Sequence, residues 1–359
     1  DLAFPLVGVG NVTLQLLQYV AEHNQKTFLY TYSREKYGQS KTCRMRIAPI
    51  APYSYHAEQV YFAARTVFDR LDLFHAPIHL PPLHVARRTK VVFTVHDLHS
   101  ELDGTYFPPE MNAYFQGRRC RAIECADAVI VHSEFVRAQI LQLCKVREQK
   151  IHVIPLSVPV DFKTEISSDE KRRVKEKYKL PERYVLFVGS IEPWKKVQIL
   201  IRNFLAFQAK TNEDAHLVLV GREGWHRETC DFVRHAVATS PRVTWLDYVP
   251  ASDLPAIYSN ATVFCSASLW EGFGMIFLEA MAYGLPMIAT NHAAIPEVVG
   301  DAGIFFDTLH PEELQTRFRE VFQDEIGLKK LSDASKERFA HFAGNQYGKA
   351  VYKVYEGLV

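Results

Sequence analysis

The fold of this chain is constrained most by short apolar runs, rich in valine and isoleucine, that recur between stretches long enough to hold a helix. The runs are Val91–Val95, Ala128–Val131, His152–Pro155, Tyr184–Val188, His216–Val220, Val243–Leu246, Ala261–Cys265, Met287–Thr290 and Gly303–Phe306. They lack strict alternation of apolar and polar residues, so each reads as a strand buried on both faces, the mark of a parallel sheet. Helical patterns over Val12–Glu22, Met111–Cys125, Glu134–Cys144, Gln198–Ala209, Arg227–Thr239 and Glu312–Phe322 supply crossovers. Strand and helix alternating in this way predict an α/β chain with helices covering both faces of its sheets.

The 359 residues suffice for two such domains. Leu156–Phe162 contains Pro159, has no period and reads as a connector. It divides a first domain, 1–158, from a second, 159–341, with a terminal segment at 342–359. The lysine- and arginine-rich run ending at Lys179 reads as the solvated face of a helix. Forty-two basic residues stand against 41 acidic ones, a net charge of +1, which argues against a dedicated nucleic-acid binder. The six cysteines show no zinc spacing and read as free thiols of a reducing compartment. No apolar run is long enough to span a membrane. Basic stretches at Lys36–Arg46 and Arg118–Arg121 read as solvated faces and leave room for peripheral contact with a membrane.

Ligands of doubly wound sheets bind beyond the carboxyl ends of the strands, so the residues just after each run carry the chemistry. After Ala261–Cys265 the chain reads Trp270-Glu271-Gly272-Phe273-Gly274, then a helix-forming stretch Met275–Tyr283 that stops at Gly284 and Pro286. The glycines let a ligand approach the backbone, and the helix start offers unpaired amides to phosphate or sugar oxygens. Glu271 stands before this turn and Glu279 roughly one and a half helical turns beyond Gly274, and carboxylates suit the hydroxyl groups of a sugar or ribose. After Tyr184–Val188 come Gly189, Ser190, Glu192, Pro193, Trp194, Lys195 and Lys196, with Lys195 or Lys196 placed to meet a diphosphate. His96 and Asp97 directly follow Val91–Val95. They read either as cleft residues or as a histidine satisfying a loop carbonyl and an aspartate capping a turn. His75, Arg137 and His292 are weaker cleft residues, and Ser133 reads as the N-cap of the next helix. Gly8 and Gly10 read as turn glycines before an apolar helix, without a full dinucleotide fingerprint.

Glu271-Gly272-Phe273-Gly274-Met275-Ile276-Phe277-Leu278-Glu279 resembles in full the E-x7-E motif of the retaining, nucleotide-sugar-dependent glycosyltransferases of family 4. The resemblance extends to Gly221-Arg222-Glu223-Gly224-Trp225, to Leu246–Pro250, to Asn291–Gly300 and to the terminal run Phe342–Leu358. It implies the GT-B fold, two Rossmann-like doubly wound domains facing each other across a cleft, with the last helix crossing back to the first domain. It further implies that Glu271 contacts the donor sugar and Glu279 the ribose, and that the backbone of Phe273, Gly274, Met275 and Ile276 completes the donor pocket. Tyr248 and Val249 would lie beside the base, Lys195 with Ser190 and Lys196 near the diphosphate, His96 near the transferred sugar, and Gly8 and Gly10 near the donor phosphate. His96, Lys195 and Glu271 are the catalytic candidates.

The implied reaction moves a hexosyl group, mannose from GDP-mannose in the most similar branch, to a saccharide or lipid-linked saccharide in bacterial surface-polysaccharide assembly. It would take place in the cytoplasm or at the inner face of the membrane. No tightly bound cofactor and no metal site are implied. One departure stands out: relatives commonly read Glu-Pro-Arg-Lys where this chain has Glu192-Pro193-Trp194-Lys195, and some carry a cation where it has Ser190. Two alternative readings are a hydrolase or epimerase acting on a sugar nucleotide in the same cleft, and a noncatalytic sugar-nucleotide sensor or scaffold.

Overall fold

In a computed structural model, which describes residues 9–23, 26–32, 43–158 and 164–359, the chain divides into two compact units. The first comprises Asp1–Pro159 with Gly344–Val359, and the second Val160–Ala343.

The described strands of the first unit are β1 (Thr27–Thr31), β2 (Cys43–Ile47), β3 (Leu73–Ala76), β4 (Lys90–Thr94), β5 (Ala128–Val131) and β6 (Ile151–Val153). β1 and β2 pair in parallel, and β3-β4-β5-β6 form a second parallel sheet in chain order. β5 is buried along its whole length, as an unalternating apolar run requires. β1, β2 and β3 escape the pattern reading because they are partly exposed and carry polar residues, as in Cys43-Arg44-Met45-Arg46-Ile47. His75 therefore lies inside β3 rather than after it.

The expected helix Met111–Cys125 is two helices, Pro109–Phe115 and Arg119–Cys125. They are broken at Gly117, whose φ of +73° no helix continues. Two further expectations are corrected here. Cys120 and Cys144 form a disulfide, because the two helices flanking β5 bring their Cα atoms to 5.1 Å despite a separation of 24 residues. Arg119 is not on a solvated face: it is buried and bound to Glu101 at 2.9 Å and to the Asp97 carbonyl at 2.7 Å. The terminal helix Gln346–Glu356 buries Tyr347 and Val351 within the first unit, and the Tyr347 amide donates to Ser157 Oγ at 3.2 Å.

The second unit holds β7 (Tyr184–Val188), β8 (His216–Val220), β9 (Val243–Trp245), β10 (Val263–Ser266), β11 (Met287–Thr290) and β12 (Gly303–Phe306). They form one all-parallel sheet in the order β12-β11-β10-β7-β8-β9. The chain winds outward from β7 to β9, returns to the middle, and winds the other way from β10 to β12. This is doubly wound topology, with its switch point between β7 and β10. A core of Phe187, Phe204, Phe207, Cys265, Ile288 and Phe318, each fully buried, joins the sheet to the helices Val197–Lys210 and Glu313–Gln323. The basic run before Lys179 forms the helix Ser168–Tyr178, where only Val174 is buried.

Candidate functional site

The switch point of the second sheet is where the sequence places most of its candidate residues. β7 ends at Val188, and Gly189 leaves the sheet at φ +152°. The chain then makes a tight turn, Pro193–Lys195, and Lys196 closes it at φ +48°. The Trp194 carbonyl accepts from the Leu269 amide at 2.8 Å, which ties this turn to the chain leaving β10. Across that tie the Lys195 ammonium donates to a Glu271 carboxylate oxygen. The two side chains are only 12% and 13% exposed. Residues 76 apart in sequence thus meet as an ion pair at the point where doubly wound sheets take their ligands.

Glu271 is held from behind as well, since its carbonyl accepts from the Ala294 amide at 3.2 Å. Beyond it Gly274 takes φ +94° and starts the helix Met275–Ala282. A Cβ at Gly274 would lie 2.7 Å from the Phe277 ring, so a side chain is excluded there by packing as well as by φ. A glycine N-cap supplies no side-chain acceptor, so the first-turn amides of Met275 and Ile276 have no cap of that kind. Phe273 is buried against Phe342. Glu279, one turn into that helix, does not join the Lys195–Glu271 pair. Its carboxylate accepts from Tyr258 Oη at 2.8 Å. Burial raises the Glu279 pKa, and the Tyr258 bond opposes the rise. Tyr258 has no sequence signal beyond a place in the short helix Leu254–Asn260.

The loops after β7, β8 and β9 are locked together. The Ile191 amide donates to the Arg222 carbonyl at 2.9 Å, and the Gly221 amide to the Asp247 carbonyl at 2.8 Å. Gly221 sits at φ +141° with no room for a Cβ, which would come within 2.5 Å of the Gly189 carbonyl carbon and closer still to its oxygen. At Gly224 a Cβ would lie 2.6 Å from the Glu192 carboxyl. Glu192, confined there, has its pKa raised to about 7 by burial. Tyr248 is exposed and carries the Arg222 guanidinium 4.5 Å above its ring, while Val249 is buried. Ser190 is exposed and Lys196 half-buried. Arg222 is a cation among these loops that no spacing rule singles out.

His96 belongs to the first unit, after β4. Its Nε2 lies 2.7 Å from the Pro77 carbonyl and its Nδ1 3.1 Å from His132 Nε2. His132, which sequence reasoning missed because it reads as one more residue after an apolar strand, is 1% exposed. Burial lowers both pKa values, His132 well below the ordinary histidine range. Asp97 caps a turn, accepting from the His99 amide at 3.1 Å. His75 lies between Thr94 Oγ1, at 2.7 Å, and Tyr355 Oη, and burial pulls its pKa down to about 3. Gly10 falls inside the helix Val9–His23 rather than in a loop before it, and Gly8 lies outside the described residues. Ser133 is the expected N-cap, accepting from Val136 at 3.2 Å. Arg137 pairs with Glu134 at 2.8 Å, and His292 with Thr308 at 2.7 Å. Among the described residues no cluster of three or more histidine, cysteine or acidic side chains is placed to hold a metal ion.

The chain is 27% identical over 347 residues to the O-antigen chain mannosyltransferase B of Escherichia coli, covering 90% of this chain and 88% of that protein. To the serotype-specific mannosyltransferase WbdA of Escherichia coli it is 25% identical over 71% of this chain, which spans only 32% of that protein. Among solved structures, Anabaena HepE in complex with UDP and glucose superposes with a TM-score of 0.76 at 17% identity, covering 99% of this chain and 98% of that one. The fold is GT-B, built on two Rossmann-like units. The family model for Glycosyltransferase Family 4 matches residues 7–162, and that for Glycosyl transferases group 1 matches residues 168–338. By both units, the chain belongs to the family 4 glycosyltransferases.

Proposed function

We propose that the chain transfers a hexosyl group from a nucleoside diphosphate sugar to a saccharide or lipid-linked saccharide with retention of anomeric configuration. We take mannose from GDP-mannose as the donor. The observation that carries this reading is the Lys195–Glu271 pair at the switch point of the second sheet, beside a helix start that lacks a side-chain cap. A diphosphate needs a cation and oriented amides, and Lys195 with the Met275 and Ile276 amides has that chemistry. Glu271 orients the sugar and keeps Lys195 in place until a phosphate competes for it. Glu279, steadied by Tyr258, accepts from the ribose hydroxyls. Tyr248 and Val249 flank the base, Ser190 offers a hydroxyl to the diphosphate, and Lys196 and Arg222 are the cations of these loops that can stand in for the arginine relatives carry where this chain has Trp194.

In the step proposed, the bond from the anomeric carbon to the leaving phosphate oxygen breaks as the acceptor oxygen attacks from the same face. The acceptor proton passes to that departing oxygen, and Lys195 stabilises the charge left on the diphosphate. His96 is assigned to the sugar side of the reaction. The choice of mannose and of polysaccharide assembly rests on the two mannosyltransferase relatives. We place the reaction in the cytoplasm or at the inner face of the membrane, where the basic stretches leave room for peripheral contact. No described helix is long and apolar enough to cross a membrane.

The test is a panel of nucleotide sugars and saccharide acceptors with the product linkage determined by NMR. An α-mannoside formed from GDP-mannose is expected. An inverted linkage overturns the stereochemistry, and donor consumption that ignores the acceptor moves the assignment to hydrolysis or epimerisation. Donor binding without any turnover would favour a sensor.

A further inference from the structure

Four successive strands of the first sheet each end on a group that enters one hydrogen-bonded line. Pro77 follows β3, His96 follows β4, His132 follows β5 and Ile154 follows β6. The Pro77 carbonyl lies 2.7 Å from His96 Nε2, His96 Nδ1 lies 3.1 Å from His132 Nε2, and His132 Nδ1 lies 3.1 Å from the Ile154 carbonyl. Carbonyl oxygens only accept, so each requires an N–H from the ring it faces, and a neutral imidazole carries one. Meeting both carbonyls places His96 in its Nε2–H form and His132 in its Nδ1–H form. The inner nitrogens then face one another as two acceptors. One added proton bridges the inner nitrogens; a second would set two N–H groups against each other across 3.1 Å.

We infer that His132 is a positioning residue for His96, holding it as the Nε2–H tautomer and binding one proton jointly with it, so that the two rings titrate as a single unit. The inference rests on the reading of His96 as part of the transfer site. Several groups act on the shared proton. Asp97 favours it, whereas Arg119, on the helix after Gly117, and His75, in β3, oppose it. Arg119 is itself compensated by Glu101 at 2.9 Å and by Asp97 at 3.8 Å. Tyr347 from the terminal helix sets its ring 5.6 Å from that of His132. Burial also opposes the charge, so the pair protonates at a pH below the ordinary histidine range. The consequence is a single positive charge, gained on acidification, at the carboxyl edge of the first sheet.

The experiment is a pH titration of the full chain labelled with 15N-histidine. At pH about 8 the spectra are expected to show His96 as Nε2–H and His132 as Nδ1–H, and on acidification both rings should move at one midpoint with uptake of one proton. His132→Leu removes the nitrogen that shares the proton and offers protonated His96 no acceptor, so His96 should bind a proton about ten-fold more weakly, one pH unit lower. The reciprocal His96→Leu should do the same to His132, and serves if the first variant fails to fold. Identical tautomers, separate midpoints, midpoints unmoved in the variants, or rings neutral down to acid unfolding would each overturn the inference. His132→Leu should also lower kcat while leaving the donor KM unchanged. Turnover unaffected in His96→Ala would remove His96 from the transfer site, whereas the spectra alone decide whether the rings share a proton.

Discussion

Gly221→Ala is expected to damage the second unit far more than an ordinary glycine replacement. The residue stands at φ +141°, where an L side chain strains the backbone at a cost of about 1–3 kcal/mol. Its new Cβ would also press on the Gly189 carbonyl and lie 3.2 Å from the Ser190 nitrogen. Both neighbours are backbone and cannot rotate away, so the loop after β7 must shift, for about another 1–3 kcal/mol. The sum is about 2–6 kcal/mol. Gly284→Ala is the control in the same unit: its φ is +64°, but the atoms a Cβ would meet belong to the flexible Lys336 side chain. Only the left-handed backbone cost of about 1–2 kcal/mol applies there. All four tryptophans, Trp194, Trp225, Trp245 and Trp270, lie in the second unit, so their fluorescence during urea unfolding reports this unit. Gly221→Ala should lower the unfolding midpoint at least twice as much as Gly284→Ala, and it should weaken binding of a nucleoside diphosphate by moving Ser190 and Lys195. Equal midpoints for the two variants would refute the claim that these loops are locked at Gly221.

Further expectations concern the site and its supports. Glu271→Ala should lower kcat about 10²–10³-fold, the scale for losing one aligned group in a transfer site, with little change in nucleotide affinity; steady-state rates beside calorimetric binding check the split. Lys195→Ala should weaken nucleoside diphosphate binding and turnover together, and unaltered donor turnover would remove its assignment. Tyr258→Phe deletes a bond that favours ionised Glu279. The Glu279 pKa then rises further. Its folded value already lies above the unfolded one, so the stability this group contributes is fully present at low pH and is lost as pH rises through the folded pKa. The cost of Tyr258→Phe should accordingly be largest above that pKa, about 1.5–3 kcal/mol, and should shrink as pH falls toward the ordinary glutamate range, which unfolding curves across pH will show. Reduction of Cys120–Cys144 should destabilise the first unit by about 3 kcal/mol for a loop of this length, seen by proteolysis with and without reductant.

What could be read from the sequence alone followed from burial. Strands β5, β7, β8, β11 and β12 occupy the bounds their apolar runs indicate. β5, β7 and β11 are buried along their whole length, and a strand covered on both faces must be apolar throughout, whereas β12, at the sheet's edge, keeps an apolar run with only Phe306 buried. β1, β2 and β3, partly exposed and mixed in character, carry no such mark. Gly274 and the helix Met275–Ala282 were equally legible, since a turn at positive φ followed by helix formers is a local matter.

Pairing across the fold was not local. Lys195 and Glu271 are separated by 76 residues and meet because β7 and β10 are neighbours at the sheet's switch point. Tyr258 reaches Glu279 and Cys120 reaches Cys144 only through packing of helices on their sheets. His96 and His132 face each other because parallel β4 and β5 end side by side. The order of residues determined which groups leave the sheets at their carboxyl ends. Tertiary structure alone decided which of those groups share a proton, a hydrogen bond or a charge, because partners are set by strand order in the sheet rather than by distance along the chain.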